Sequence, residues 1–113
     1  MIGGYVASAA LAVAGVLAVL MPERTARALA TTFTSTRGRA EFRIANAGFA
    51  GVGVWALIDG SRPAFIAVGA LWLGAGAVRL LALALDAPRP DWTYWVYLVF
   101  EAGLAAAAIV PLG

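Results

Sequence analysis

The sequence predicts an all-α, polytopic membrane protein: an antiparallel bundle of four transmembrane helices with a short interfacial helix after the first span. Hydrophobic residues make up 63% of the 113 residues and charged residues only 12%, whereas soluble domains are about a quarter charged. So few charges cannot cover a water-facing surface, and four apolar stretches are each about long enough to cross a bilayer as a helix. We therefore expect a single transmembrane domain over residues 1–113.

Short connections follow the second and third apolar stretches, which predicts tight antiparallel packing among spans two to four. The predicted spans cover residues 3–20, 42–58, 64–85 and 92–110.

The longer connection after the first span carries the pattern of an interfacial helix over residues 22–33. On a helix, Ala26, Leu29, Ala30 and Phe33 would share one apolar face, and such a face suits a helix lying in the membrane interface. The stretch "TTFTSTRGR", rich in Thr and Gly, then predicts a break before the second span.

The distribution of arginines predicts the orientation. One side of the predicted bundle carries nearly all of them, and the opposite side has Arg62 alone. The first group consists of Arg24, Arg27, Arg37, Arg39, Arg43 and Arg89. By the positive-inside rule, this side faces the cytoplasm and both termini lie outside. An aromatic cluster from Trp92 to Tyr97 starts the fourth span on the same side, where an interfacial belt is expected.

Small residues recur four positions apart in the spans, a spacing that lets helix backbones approach closely in lipid. Gly51, Gly74 and Gly103 belong to such pairs. We expect them where spans touch, and we expect a homo-oligomer or a place as a subunit in a membrane complex.

Two charges fall inside the predicted spans. Arg79 would lie roughly 9 Å and Glu101 roughly 13 Å from the cytoplasmic end, at 1.5 Å per residue. Each charge alone would cost about 2.5–3.5 kcal/mol on insertion scales. Because their spans are antiparallel neighbours, we expect the two side chains to pair.

Other polar residues have a helical spacing that brings them to the same half of the membrane. Arg43 and Asn46 follow one face of span two, and Tyr94 and Tyr97 share a face of span four with Glu101. These faces predict a pocket open to the cytoplasmic leaflet, with a cation in excess unless Glu41 or Asp86 turns inward. The predicted ligand-binding residues are Arg43, Asn46, Arg79, Tyr94, Tyr97 and Glu101.

The chain has no Cys, His or Lys, which excludes disulfides, His-ligated haem and Schiff-base chemistry within it. We expect no cofactor and no metal, since Glu101 beside Arg79 suits a hard cation poorly. We also expect no nucleic-acid partner, because no basic stripe alternates with exposed aromatic residues.

Four functions fit these patterns. The charged pair could serve helix packing alone. The protein could be a non-catalytic membrane subunit, or a protein that binds membrane lipid or an apolar small molecule. It could be a membrane-embedded isomerase or epoxide-opening enzyme, with Glu101 and Tyr97 as candidate catalytic residues. It could also form a small transport assembly, which would require an oligomer.

The stretch from Arg39 to Leu112 resembles an uncharacterised bacterial family of small four-helix membrane proteins, catalogued as a domain of unknown function. The resemblance rests on "EFRIANAGFAGVGVWAL", "GAGAVRLLALALD" and "YLVFEAGLAAAAI", with Arg79 and Glu101 at the family's Arg and Glu positions. It implies a four-helix fold in a bacterial inner membrane and no agreed activity. Size and topology are also similar to those of the emopamil-binding sterol isomerases and DoxX-like proteins, but the isomerases work with a His that this chain lacks.

Overall fold

The computed structural model describes residues 2–86 and 90–110, and all regular structure in that part of the chain is helical. The five helices are α1 (Ile2–Leu20), α2 (Pro22–Ala28), α3 (Thr36–Asp59), α4 (Arg62–Leu85) and α5 (Trp92–Ile109). The predicted all-α class is therefore confirmed.

Three of these helices, α1, α4 and α5, are long and apolar enough to cross a membrane. Helix α3 has 24 residues but is not among the three, because its first turns carry Arg37, Arg39, Glu41 and Arg43. The membrane-protein class is supported by the three apolar helices, and a fourth span at α3 stays a prediction.

Helix α3 begins earlier than predicted. The hydroxyl of Ser35 caps the helix by accepting a hydrogen bond from the backbone N–H of Gly38 at 2.9 Å, which satisfies a donor that the first turn leaves free. The expected break between the interfacial helix and the second span is present over residues 29–35, but it ends earlier than predicted, because Ser35 caps a helix that begins at Thr36.

Helix α2 is shorter than predicted and ends at Ala28. Ala30 adopts a left-handed conformation with φ of 56°, and the N–H of Thr31 bonds to the carbonyl of Ala26 at 2.9 Å. This arrangement closes a helix C-terminus. Residues 29–33 therefore do not continue the apolar helical face. Ala26, which belongs to that face, is buried inside the protein.

Helix α1 is the centre of the assembly and contacts all four other helices. Its longest interface is with antiparallel α3, where a Cβ on Gly15 would lie 2.6 Å from the backbone N of Ala50. A Cβ on Gly53 would likewise lie 2.6 Å from the backbone N of Ala12. Only glycine permits this approach, which resembles small-residue packing between membrane helices.

Helices α4 and α5 form the second antiparallel pair, as expected. Helix α3, however, contacts α4 only sparsely, and in the described part of the chain it has no contact with α5. The predicted tight packing of all three is therefore wrong for α3. Ala50 and Gly53 of α3 face α1 instead, and a space remains between α3 and the α4–α5 pair.

The glycines expected at helix contacts lie elsewhere. A Cβ on Gly51, Gly74 or Gly103 would meet nothing within 4 Å, so these residues face away from the neighbouring helices. Their expected role inside the chain is wrong, and their role in self-association stays a prediction.

The end of the assembly that holds the α1 N-terminus is closed by polar contacts. The guanidinium of Arg62 donates to the carbonyl of Ala108 at 3.4 Å and to that of Ile109, the last carbonyls of α5. A cation at this position satisfies free acceptors and complements the helix dipole.

Candidate functional site

An ion pair connects the middle of α5 to the last third of α4. Nε of Arg79 donates to one carboxylate oxygen of Glu101 at 2.6 Å, and Nη2 donates to the other at 3.0 Å. The side chains are 19% and 10% exposed, respectively. One helical turn before Arg79, Gly76 leaves room for the carboxylate arm, since a Cβ there would lie 3.7 Å from the Cβ of Glu101. The structure thus brings together the two charges that the sequence predicted to pair.

Two tyrosine rings flank the guanidinium. The centroid of Tyr94 lies 5.1 Å and that of Tyr97 5.4 Å from Cζ of Arg79, within the range of cation–π attraction. The hydroxyl of Tyr94 donates to the backbone carbonyl of Arg79. The Tyr94 and Tyr97 side chains therefore join Arg79 and Glu101 in one polar cluster.

Helix α2 is fastened beside this cluster at both of its ends. The hydroxyl of Tyr97 donates to the carbonyl of Ala28 at 2.6 Å. At the start of α2, Glu23 forms an ion pair with Arg39 of α3 at 2.6 Å. These contacts hold α2 across the space between α3 and the α4–α5 pair.

That space is a cavity of about 660 Å³ bounded by all five helices. Its walls are mainly apolar, with aromatic rings from three helices, and the polar side chains are few. Lining residues include Phe42, Asn46, Phe49, Trp72, Arg79, Tyr97, Phe100 and Glu101, with Arg24, Thr25 and Leu29 from the α2 segment. The charged pair is thus part of a cavity wall rather than sealed inside a packed interface.

A second groove of about 620 Å³ runs along α4 and shares part of this wall. Phe49, Arg79 and Glu101 line both the groove and the cavity, and Tyr94 lines the groove. The ion pair therefore contacts two adjoining open spaces.

Two of the predicted site residues take different positions from those expected. Arg43 is exposed and lines neither the cavity nor the groove, so the expected placement of Arg43 against Glu101 is wrong. Helix α3 packs along α1 and, among the described residues, has no contact with α5, so its first turns do not bring Arg43 to Glu101. Asn46 does line the cavity, but its amide donates to the carbonyl of Phe42 in its own helix at 2.9 Å.

The carboxylates expected to balance the pocket also lie elsewhere. Glu41 is exposed and 3.8 Å from Arg37, and Asp86 is an exposed residue at the end of α4. Arg89, which contributed to the predicted orientation, lies outside the described residues. Glu101 is therefore the carboxylate in the cavity lining.

Sequence reasoning missed the contribution of α2. Arg24 and Leu29 line the cavity, although both were assigned to an interfacial segment. The sequence shows the amphipathic pattern of α2 but does not show where the helix lies relative to the other helices. That position depends on two contacts between residues far apart in the chain, Glu23 with Arg39 and Tyr97 with Ala28.

The chemistry open to Glu101 is limited by its partner. Each carboxylate oxygen accepts a charge-assisted hydrogen bond from Arg79 and has one lone pair left for a ligand, but a step that protonates Glu101 would remove the charge that pairs with Arg79. Within residues 2–86 and 90–110, no three Asp, Glu, His or Cys side chains cluster as potential metal ligands. The arrangement is better suited to orienting a bound molecule than to moving a proton.

Comparison with known proteins gave one match. The family model described as "Domain of unknown function (DUF4345)" matches residues 2–112. This confirms the resemblance to an uncharacterised family and extends it from residues 39–112 over nearly the whole chain. No curated protein and no solved structure matches the chain.

Proposed function

The chain belongs to the DUF4345 family, whose description names no function, and we propose that it is a membrane protein that binds a lipid or another apolar ligand. The observation that carries the proposal is the cavity of about 660 Å³ reaching the Arg79–Glu101 pair. Small-molecule sites of about 300–1,000 Å³ typically combine mostly apolar walls with a few placed polar groups. The cavity has both properties.

An empty apolar space of this size would be costly for a protein this small. The cavity is partly open, and a bound apolar molecule would cover apolar surface that otherwise stays exposed. Phe42, Phe49, Trp72 and Phe100 supply the apolar surface for such a molecule. A role in helix packing alone would need no such space beside the ion pair.

The alternative of a membrane-embedded isomerase or epoxide-opening enzyme has less support. Its candidate acid–base residue, Glu101, has both oxygens bonded to Arg79. The second candidate, Tyr97, donates its hydroxyl to Ala28. Taking up a proton would cost Glu101 its ion pair, and donating a proton to a substrate would require Tyr97 to give up its bond to Ala28.

We further propose that α3 is a fourth span, with the α2 segment on the cytoplasmic side, both termini outside and the inner membrane of a bacterium as the location. The support is the arginine-rich end formed by α2 and the start of α3, opposite Arg62. Because the native chain has no Cys, an introduced Ser35→Cys reports one position only. We expect no labelling by an impermeant maleimide in intact cells and labelling after the cells are opened; labelling in intact cells would refute the orientation.

Native mass spectrometry from mild detergent tests ligand binding. Ala75 lines the cavity, and Ala75→Phe should displace the bound molecule by occupying its space. Ala77, two residues along α4, is exposed and outside the cavity lining, so Ala77→Phe is a matched control.

We expect a co-purifying apolar molecule on the wild-type protein and on Ala77→Phe, and its loss from Ala75→Phe without loss of the folded protein. The same spectra report the oligomeric state. A wild-type protein that carries no molecule and takes up none from added lipid would refute the proposal.

A further inference from the structure

The cavity lining has one more positive than negative charge. Its charged residues are Arg24, Arg79 and Glu101. Arg79 is compensated by Glu101 through two hydrogen bonds. The charge of Arg24, on α2, is left without a counterpart in the lining.

The carboxylates of α2 and of the first turns of α3 are paired with other arginines. Glu23, its neighbour in sequence, pairs with Arg39 at 2.6 Å. Glu41, on the adjacent part of α3, lies 3.8 Å from Arg37. Within residues 2–86 and 90–110, Arg24 forms no ion pair with a carboxylate.

The position of Arg24 relative to the apolar walls gives the polarity of a ligand. Arg24 is an exposed residue of α2, whereas Leu11 and Trp72 line the cavity from the central helix and from the middle of α4. A molecule lying in this space would have its apolar part against these walls and its polar end beside α2. The cationic group and these apolar walls thus come from different helices of the lining.

We propose that the ligand is a single-chain anionic amphiphile, with its chain in the cavity and its head group held by the guanidinium of Arg24. This inference rests on the proposed function of lipid binding and names the class of ligand. Arg guanidinium groups match carboxylate and phosphate oxygens in geometry and charge. Nη1 of Arg79, which takes no part in the bonds to Glu101, is a second donor on the same wall.

The test compares two lipids that differ in net charge and share one acyl chain. Lysophosphatidylglycerol carries one net negative charge, and lysophosphatidylcholine carries none. Their affinities are measured in neutral detergent by intrinsic tryptophan fluorescence, and native mass spectrometry gives the stoichiometry. The proteins are the wild type, Arg24→Gln and the control Arg27→Gln, since Arg27 does not line the cavity.

We expect the wild type to bind the anionic lipid about fivefold more tightly, a factor limited by solvent screening at an exposed arginine. Arg24→Gln should bind both lipids with the affinity of the wild type for the zwitterionic one, and Arg27→Gln should keep the preference. In the wild type and in Arg27→Gln, raising the salt concentration should reduce the preference.

Equal affinities in the wild type, or a preference that survives in Arg24→Gln, would overturn the inference while leaving lipid binding in place. Failure of both lipids to bind the wild-type protein would instead overturn the proposed function and this inference with it.

Discussion

Removal of one partner of the Arg79–Glu101 pair should destabilise the protein far more than removal of both. The contact has two hydrogen bonds of 2.6 and 3.0 Å between side chains that are 19% and 10% exposed. Breaking a buried pair by removing one partner costs about 3–5 kcal/mol, whereas replacing both by apolar residues is often neutral. The informative set is therefore Arg79→Leu, Glu101→Leu and the double substitution.

The two single substitutions should differ from each other. In Arg79→Leu, the buried carboxylate of Glu101 loses both of its hydrogen bonds and has a short side chain, so we expect a loss near the upper end, about 5 kcal/mol. In Glu101→Leu, the guanidinium of Arg79 keeps its cation–π contacts with Tyr94 and Tyr97. The long Arg side chain can also extend toward water. We expect about 3 kcal/mol there.

The double substitution leaves no buried charge, but the two new side chains fill less volume. We expect the free energy of unfolding to fall by about 2 kcal/mol or less. Thermal unfolding in neutral detergent, followed by near-UV circular dichroism, measures all three variants. Arg43→Leu removes an exposed arginine that lies outside the cavity lining and should change stability by no more than about 0.5 kcal/mol. Losses that add in the double variant would show that the two residues are energetically independent.

Two further predictions concern glycine packing and helix capping. Gly53→Leu should destabilise by at least about 1–3 kcal/mol, because its Cβ would meet backbone atoms of Ser8 and Ala12 within 2.9 Å. At Gly74 an added Cβ would meet nothing within 4 Å, so Gly74→Leu should leave the thermal stability of the fold unchanged. A change in the mass of the oligomer in native mass spectra would then show that this face contacts a second copy of the chain. At the start of α5, hydrogen bonds from Thr93 and the backbone of Tyr94 lower the pKa of Asp91 below its usual value. The stabilisation is therefore present above about pH 4, the usual unfolded value, and is lost as the pH falls through the lowered pKa. The difference in melting temperature between the wild type and Asp91→Asn should shrink as the pH falls over that interval. A difference that does not change with pH would contradict this role of Asp91.

Much of the fold could be predicted from the sequence because apolar length and helical spacing are local properties. The four long helices follow the four apolar stretches. The contact of Arg79 with Glu101 followed from their similar depth on neighbouring antiparallel helices and from the cost of an unpaired charge in an apolar segment.

The packing partners of α3 could not be predicted in the same way. Small residues occur on several faces of the helices, and the spacing of Gly51 looks as suitable for contact as that of Gly53. The face that packs depends on the complementary surface of α1, where Ser8, Ala12 and Gly15 leave space for the α3 backbone. The wrong position predicted for Arg43 follows from the same packing, since α3 lies on α1 and, among the described residues, does not contact α5.

The position of α1 has a consequence for biosynthesis. Helices α1 and α3 form one antiparallel pair and α4 and α5 form another, so the chain consists of two successive hairpins that meet at Ser61. Helix α1 must remain available until α5, which begins 72 residues after α1 ends, reaches it. Each hairpin can form as it leaves the ribosome, but the cavity has walls from both. It comes into existence only when the second half of the chain docks onto the first.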